Sequence, residues 1–150
     1  MVFMSKLKQF FYDLSHFGIK NYFSDETIKK IVFSNRLGFV LSLMTLPYFF
    51  LFLHLQFYTL SYFSFSVTVA YLTVLLLNYF SLTLSARLLL SFTANASLIF
   101  FSLKLGPESG IQLPFFSLVI LPFFLFEPYY KKIIGLTLSL PVVSFFFIEW

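Results

Sequence analysis

Arg87 and Lys104 enclose sixteen residues that carry no charge, Leu88 to Leu103. The chain repeats this pattern five times, each long apolar run closed by a polar or charged stop. As an α-helix, sixteen to twenty residues reach about 24–30 Å, close to the hydrocarbon thickness of a bilayer. A backbone that crosses lipid must satisfy its own hydrogen bonds, so each run is expected to be a transmembrane helix. Nothing in the pattern resembles the core of a soluble domain.

The composition agrees. Of 150 residues, 59% are hydrophobic and 11% charged, against about 45–50% and about 25% in soluble domains. The absence of cysteine excludes disulfides and thiolate metal sites. The net charge of +4 would suggest nucleic acid in a soluble protein. Here the basic residues sit between apolar runs, so the expected partner is the lipid bilayer and not nucleic acid.

The first 34 residues lack the apolar core and small-residue cleavage site of a signal peptide. Phe3, Leu7, Phe10, Phe11, Leu14 and Phe17 fall on one arc of a helix, opposite Ser5, Lys6, Lys8, Gln9, Tyr12, Asp13 and His16. Such a helix suits the headgroup layer. The alternative is that it packs on another part of the protein. Gly18 is expected to stop it. Ser24 then reads as an N-cap, with Asp25 and Glu26 in the first turn of the next helix, where the dipole favours anions.

The fold class is therefore all-α: a polytopic bundle of five spans plus an amphipathic N-terminal helix. Residues 1–34 form a cytoplasmic segment and 35–150 the membrane domain. The expected spans are Leu37–Leu55, Tyr58–Asn78, Ala86–Leu103, Ile111–Phe126 and Ile133–Ile148. Pro47, Pro114, Pro122 and Pro141 should bend spans one, four and five. The fourth span has sixteen residues and reaches only about 24 Å. With the N-terminus cytoplasmic, nine basic residues fall inside and only Lys104 outside, the bias that sets membrane orientation. Five spans then leave the C-terminus outside, at Glu149 and Trp150, as though the chain were cut before a sixth. The expected location is the bacterial cytoplasmic membrane.

Few residues are candidates for function. Gly106, Pro107, Glu108, Ser109 and Gly110 form the outer connection between spans three and four, read as a sensing loop or as a tight turn with a solvated Glu. Ser91, Asn95 and Ser102 share a face of span three and form a polar seam. Asn95 lies near mid-membrane and is expected to find an interhelical partner, whether as passive glue or to transmit a shift. Arg36, Arg87, Lys131 and Lys132 are expected anchors at the inner interface. Arg87 is read as snorkelling there, or as joining Asn78 and Glu127 at the same depth. His54 and His16 stand alone, whereas zinc sites need three or four ligands. No catalytic residue, metal site or cofactor is expected. The chain lacks a Gly-rich phosphate loop, HExxH and G-x-S-x-G. No span carries a central Asp, Glu or Lys, as proton-coupled transporters usually do.

The stretch from Leu77-Asn78-Tyr79-Phe80 through Ala86-Arg87-Leu88-Leu89-Leu90 to Leu105-Gly106-Pro107-Glu108-Ser109-Gly110-Ile111-Gln112 resembles a known family. Phe115-Phe116, Leu121 through Glu127, Lys131-Lys132 and the leader from Ser24 to Arg36 extend the likeness over nearly the whole chain. It resembles the N-terminal multi-span region ahead of the catalytic domains in some bacterial sensor histidine kinases and class III adenylate/guanylate cyclases of bacteroidete and spirochaete type. The resemblance implies a sixth span, a cytoplasmic output domain and a homodimeric receptor, and it favours a sensing role for the Gly106–Gly110 turn. The expected function is thus the membrane input module of a signalling receptor. A small transporter or channel subunit, or a membrane assembly protein, is the alternative.

Overall fold

The Ser24 side chain folds onto the helix it precedes: its Oγ accepts from the backbone N–H of Thr27 at 3.2 Å. This cap opens the longest helix of the computed structural model, which describes residues 2–106, 110 and 114–149, without the side chains of residues 2, 3, 7 and 149. Six helices occur among the described residues: α1 (Val2–Ser15), α2 (Asp25–His54), α3 (Tyr58–Tyr79), α4 (Thr83–Leu105), α5 (Phe115–Leu125) and α6 (Lys131–Glu149). There is no strand among the described residues.

Four of these, α2, α3, α4 and α6, are long and apolar enough to cross a membrane. The fourth run behaves differently. It yields the eleven residues of α5, about 16 Å of helix, and its expected beginning, Ile111–Leu113, lies outside the described residues. Pro114 was expected inside this span. It instead stands at the N-cap of α5 with φ −58°, and its carbonyl accepts from Ser117 and Leu118. Proline suits a helix start because its missing N–H and fixed φ cost nothing there. Pro47, Pro122 and Pro141 sit within continuous helices.

α3 runs antiparallel to both α2 and α4, which the contacts at each end establish. Asn35 meets Asn78 near one end of α2 and α3, while Phe63 stacks on Phe100 at 3.7 Å towards the other end of α3 and α4. α2 packs most extensively on α3, α3 on α4, and α5 on α6. Gly38 lets the first pair approach: a Cβ there would stand 3.1 Å from the Tyr71 carbonyl oxygen. Hydroxyls reinforce it, with Thr45 and Thr68 paired at 2.8 Å and Ser61 donating to the Phe49 carbonyl at 3.0 Å. Each such bond within lipid contributes about 0.6–1 kcal/mol. Val67, Tyr71, Val74, Ala86, Leu90, Leu125 and Phe126 form the apolar core.

The connections between α2, α3 and α4 are three residues each, Leu55–Phe57 and Phe80–Leu82. Both close in the same way. The N–H of Phe57 bonds back to the Phe52 carbonyl and that of Gln56 to Leu53. Leu82 bonds to Leu77 and Ser81 to Asn78 in the same register. This capping pattern requires a residue with positive φ, and Gln56 (φ 62°) and Ser81 (φ 63°) supply it without glycine.

α1 ends at Ser15, whose hydroxyl donates to the Tyr12 carbonyl, three residues before the glycine expected to stop it. Gly18 has another task. At φ +84° it presses on the end of α3, and a Cβ there would lie 2.4 Å from the Asn78 carbonyl oxygen. Phe10 and Phe11 meet the edge of Phe39 on α2, yet they remain 52% and 45% exposed. The apolar arc of α1 is thus divided between α2 and the surroundings.

Candidate functional site

One end of the bundle holds a buried polar layer. Its centre is Arg87, in the first turns of α4, whose Nη1 donates to Glu127 Oε2 at 2.6 Å. The two residues are 1% and 3% exposed. Of the two readings of Arg87, an interface anchor or a partner of Glu127, the contact matches the second. Arg87 turns inward and does not extend to the interface, because the α5–α6 connection brings a carboxylate within reach. This is the ion pair among the described residues. Thr27 on α2 lies 3.4 Å from the other Glu127 oxygen, and Lys30 donates to the carbonyls of Phe123 and Phe126 at 3.2 and 2.9 Å. The free carbonyls at the end of α5 are thereby capped by a cation, as the helix dipole favours. Arg87 and Lys30 together fasten the α5–α6 junction to α4 and α2.

A second cluster lies at the same end. Asn78 Nδ2 donates to Asn35 Oδ1 at 2.7 Å and to Ser34 Oγ at 3.0 Å. Asn35 Nδ2 in turn donates to the carbonyls of Ser15 and Phe17. One amide therefore satisfies the chain leaving α1 and locks it to α2 and α3. Phe17 stacks on Tyr79 at 4.9 Å, and Lys20 lies over the same ring. Nη2 and Nε of Arg87 and Oδ1 of Asn78 are buried without a protein partner. Buried polar groups cost little only when they are bonded, so this end is both the most specified and the most sensitive part of the molecule.

The other half of the bundle is built differently. A cleft of about 500 Å³ opens between α2, α4 and α5, with Tyr71 of α3 at its back. Leu37, Leu41 and Phe52 line one wall, Leu98 and Phe101 the second, and Leu118 and Leu121 the third. Two hydroxyls in these walls are turned onto the protein: Thr45 bonds Thr68 and the Leu41 carbonyl, and Ser97 bonds the Ala94 carbonyl.

The structure distributes the expected site residues unevenly. Arg36, Lys131 and Lys132 are exposed at the Arg87 end. The seam of Ser91, Asn95 and Ser102 is buried but does not bridge helices among the described residues. Asn95 Nδ2 donates to the Ser91 carbonyl one turn back on the same helix, and its Oδ1 and the Ser102 hydroxyl have no partner. Gly106 ends α4 at φ 81° and ψ 167°, backbone open essentially to glycine alone. Gly110 also has positive φ, 69°. Pro107, Glu108 and Ser109 lie outside the described residues. His54 is exposed, and His16 bonds its own helix at the Tyr12 carbonyl. Among the described residues no group of three or more His, Cys, Asp or Glu gathers to hold a metal.

An all-helical chain with four helices capable of crossing a membrane is thus defined, with a polar layer at one end and an apolar cleft towards the other. No family model, curated protein or solved structure matches it.

Proposed function

We propose that the chain is the membrane-embedded input module of a bacterial signalling receptor. In this reading all five apolar runs cross the cytoplasmic membrane, and α1 lies in the inner headgroup layer. The Arg87 end then faces the cytoplasm, in keeping with nine of ten basic residues. The histidine kinase or nucleotide cyclase domain that reads the module would be joined outside these 150 residues, in a homodimer.

The observation that carries the reading is the buried Arg87–Glu127 pair. It ties the α5–α6 hairpin to α2–α4 at a single level, while the cleft separates α5 from α2 towards the other end. A stimulus that changes the spacing at the cleft would tilt α5 and α6 about this clamp, which provides two arrangements to be biased. The cleft walls are apolar and contain no ionisable group beyond tyrosine, which favours signalling over ion-coupled transport.

The test is a full-length receptor carrying the Arg87→Met, Glu127→Met double substitution, which removes the clamp without leaving a lone buried charge. Its output should lose stimulus dependence while the protein remains folded in the membrane. Unchanged stimulus dependence would overturn the reading.

A further inference from the structure

The cleft has a length, a wall chemistry and a rim that together specify an occupant. On α4 its lining runs from Ala94 through Leu98 and Phe101 to Leu105. Those eleven helical steps cover about 16 Å. Half the hydrocarbon core, the depth of one leaflet, is about 15 Å. The walls are predominantly apolar, and the Thr45 and Ser97 hydroxyls in them are already bonded to protein, Thr45 to Thr68 and Ser97 to Ala94, so the interior suits a hydrocarbon chain. Its volume, about 500 Å³, lies within the range of about 300–1,000 Å³ that holds a small molecule.

The rim is charged. Lys104 is exposed in the last turn of α4. At 100° per residue it follows Ser97 by two turns and lies about 20° from it, at the edge of the face that lines the cleft. It is the one cation at that end of the helices; the other basic residues collect towards the Arg87 end or on α1. It takes part in no ion pair among the described residues.

We propose that the cleft holds one acyl chain of an anionic bilayer lipid, its headgroup beside Lys104 and its tail running along α4 towards Ala94. The anionic head answers the rim cation, and the chain fills a slot one leaflet deep. Occupancy would set the distance between α5 and α2 and so make the lipid a structural component of this half of the bundle. The proposal rests on the helices crossing a bilayer and is independent of any signalling role.

The experiment places the whole chain in nanodiscs with a photoactivatable diazirine in mid-chain of either phosphatidylglycerol or phosphatidylcholine, and maps the crosslinks by mass spectrometry. Phosphatidylglycerol should label cleft residues such as Ala94, Leu98 and Leu118 about fivefold more than phosphatidylcholine, as one nearby cation implies. Lys104→Gln, an exposed and structurally mild change, should reduce that preference to parity. Ala94→Phe should abolish cleft labelling while the lipid-facing Leu72 and Val143 remain labelled. Equal labelling by the two lipids, or labelling unaltered by Lys104→Gln, would overturn the proposal, as would occupation by a diazirine fatty acid that excludes phosphatidylglycerol. If Leu72 and Val143 also fail to label, it is the bilayer-spanning reading that falls.

Discussion

The two halves of the bundle solve the same packing problem by opposite means. At the Arg87 end, α1, α2, α3 and α4 are joined by directional bonds through Asn35, Asn78, Arg87, Glu127 and Lys30. Towards the Gly106 end the helices meet through rings, Phe63 on Phe100 and Phe52 on Phe101, and the cleft separates α5 from α2. Apolar side chains gain little from leaving lipid for one another, so hydrogen bonds and close backbone approach fix helix positions in a membrane. In that half the hydroxyl bonds join α2 to α3, and the cleft between α2 and α5, which no such bond crosses among the described residues, can take a hydrocarbon chain with small loss. The polar half cannot open without exposing unpaired groups.

That contrast predicts a graded response to substitution. The largest effect belongs to the ion pair. Glu127→Met alone strands a buried guanidinium and should cost about 3–5 kcal/mol, read by reversible denaturation in mixed micelles. The double Arg87→Met, Glu127→Met protein should recover most of that loss, because two apolar side chains replace two desolvated charges. An additive double-substitution result would break the idea that the pair acts as a unit. Next comes Gly18→Ala, whose Cβ meets the Asn78 carbonyl at a positive φ; strain and overlap together should cost at least about 2 kcal/mol.

Smaller effects sharpen the same comparison. Gln56→Gly relieves a left-handed residue in the α2–α3 turn and should raise stability by about 1 kcal/mol. Ser97→Ala in the cleft wall removes a bond to its own helix and a hydroxyl beside Tyr71 and should stay within about 1 kcal/mol of the parent. If the cleft substitution proved as damaging as those in the polar layer, the distinction between the halves would fail.

How much of this could be read from the residues depends on the kind of force involved. Apolar runs declare themselves, so α2, α3, α4 and α6 and the Ser24 cap were legible from hydropathy and capping chemistry. The α2–α3 and α3–α4 turns fell between the right runs, but their mechanism was hidden, because Gln56 and Ser81 occupy positions where glycine is the usual signal. The polar layer was visible only in outline. Arg87, Asn78 and Glu127 stood at one depth, but the direction in which a long side chain turns depends on a partner far along the chain. Asn35 gave no warning, since beside Arg36 at a helix entrance an amide looks merely solvated. The cleft was not legible at all. A gap is set by the relative placement of three helices, and Leu98, Phe101 and Leu118 look the same in sequence whether they face a neighbour, lipid or a void.

The claim on which everything rests is that these helices cross a bilayer with the polar layer at one face and the rim of the cleft at the other. The chain has no cysteine, so single replacements give a clean readout with a membrane-impermeant maleimide. Lys29→Cys and Tyr129→Cys should label only after cells are opened, and Lys104→Cys should label in intact cells. Labelling of all three from the same side would contradict the account.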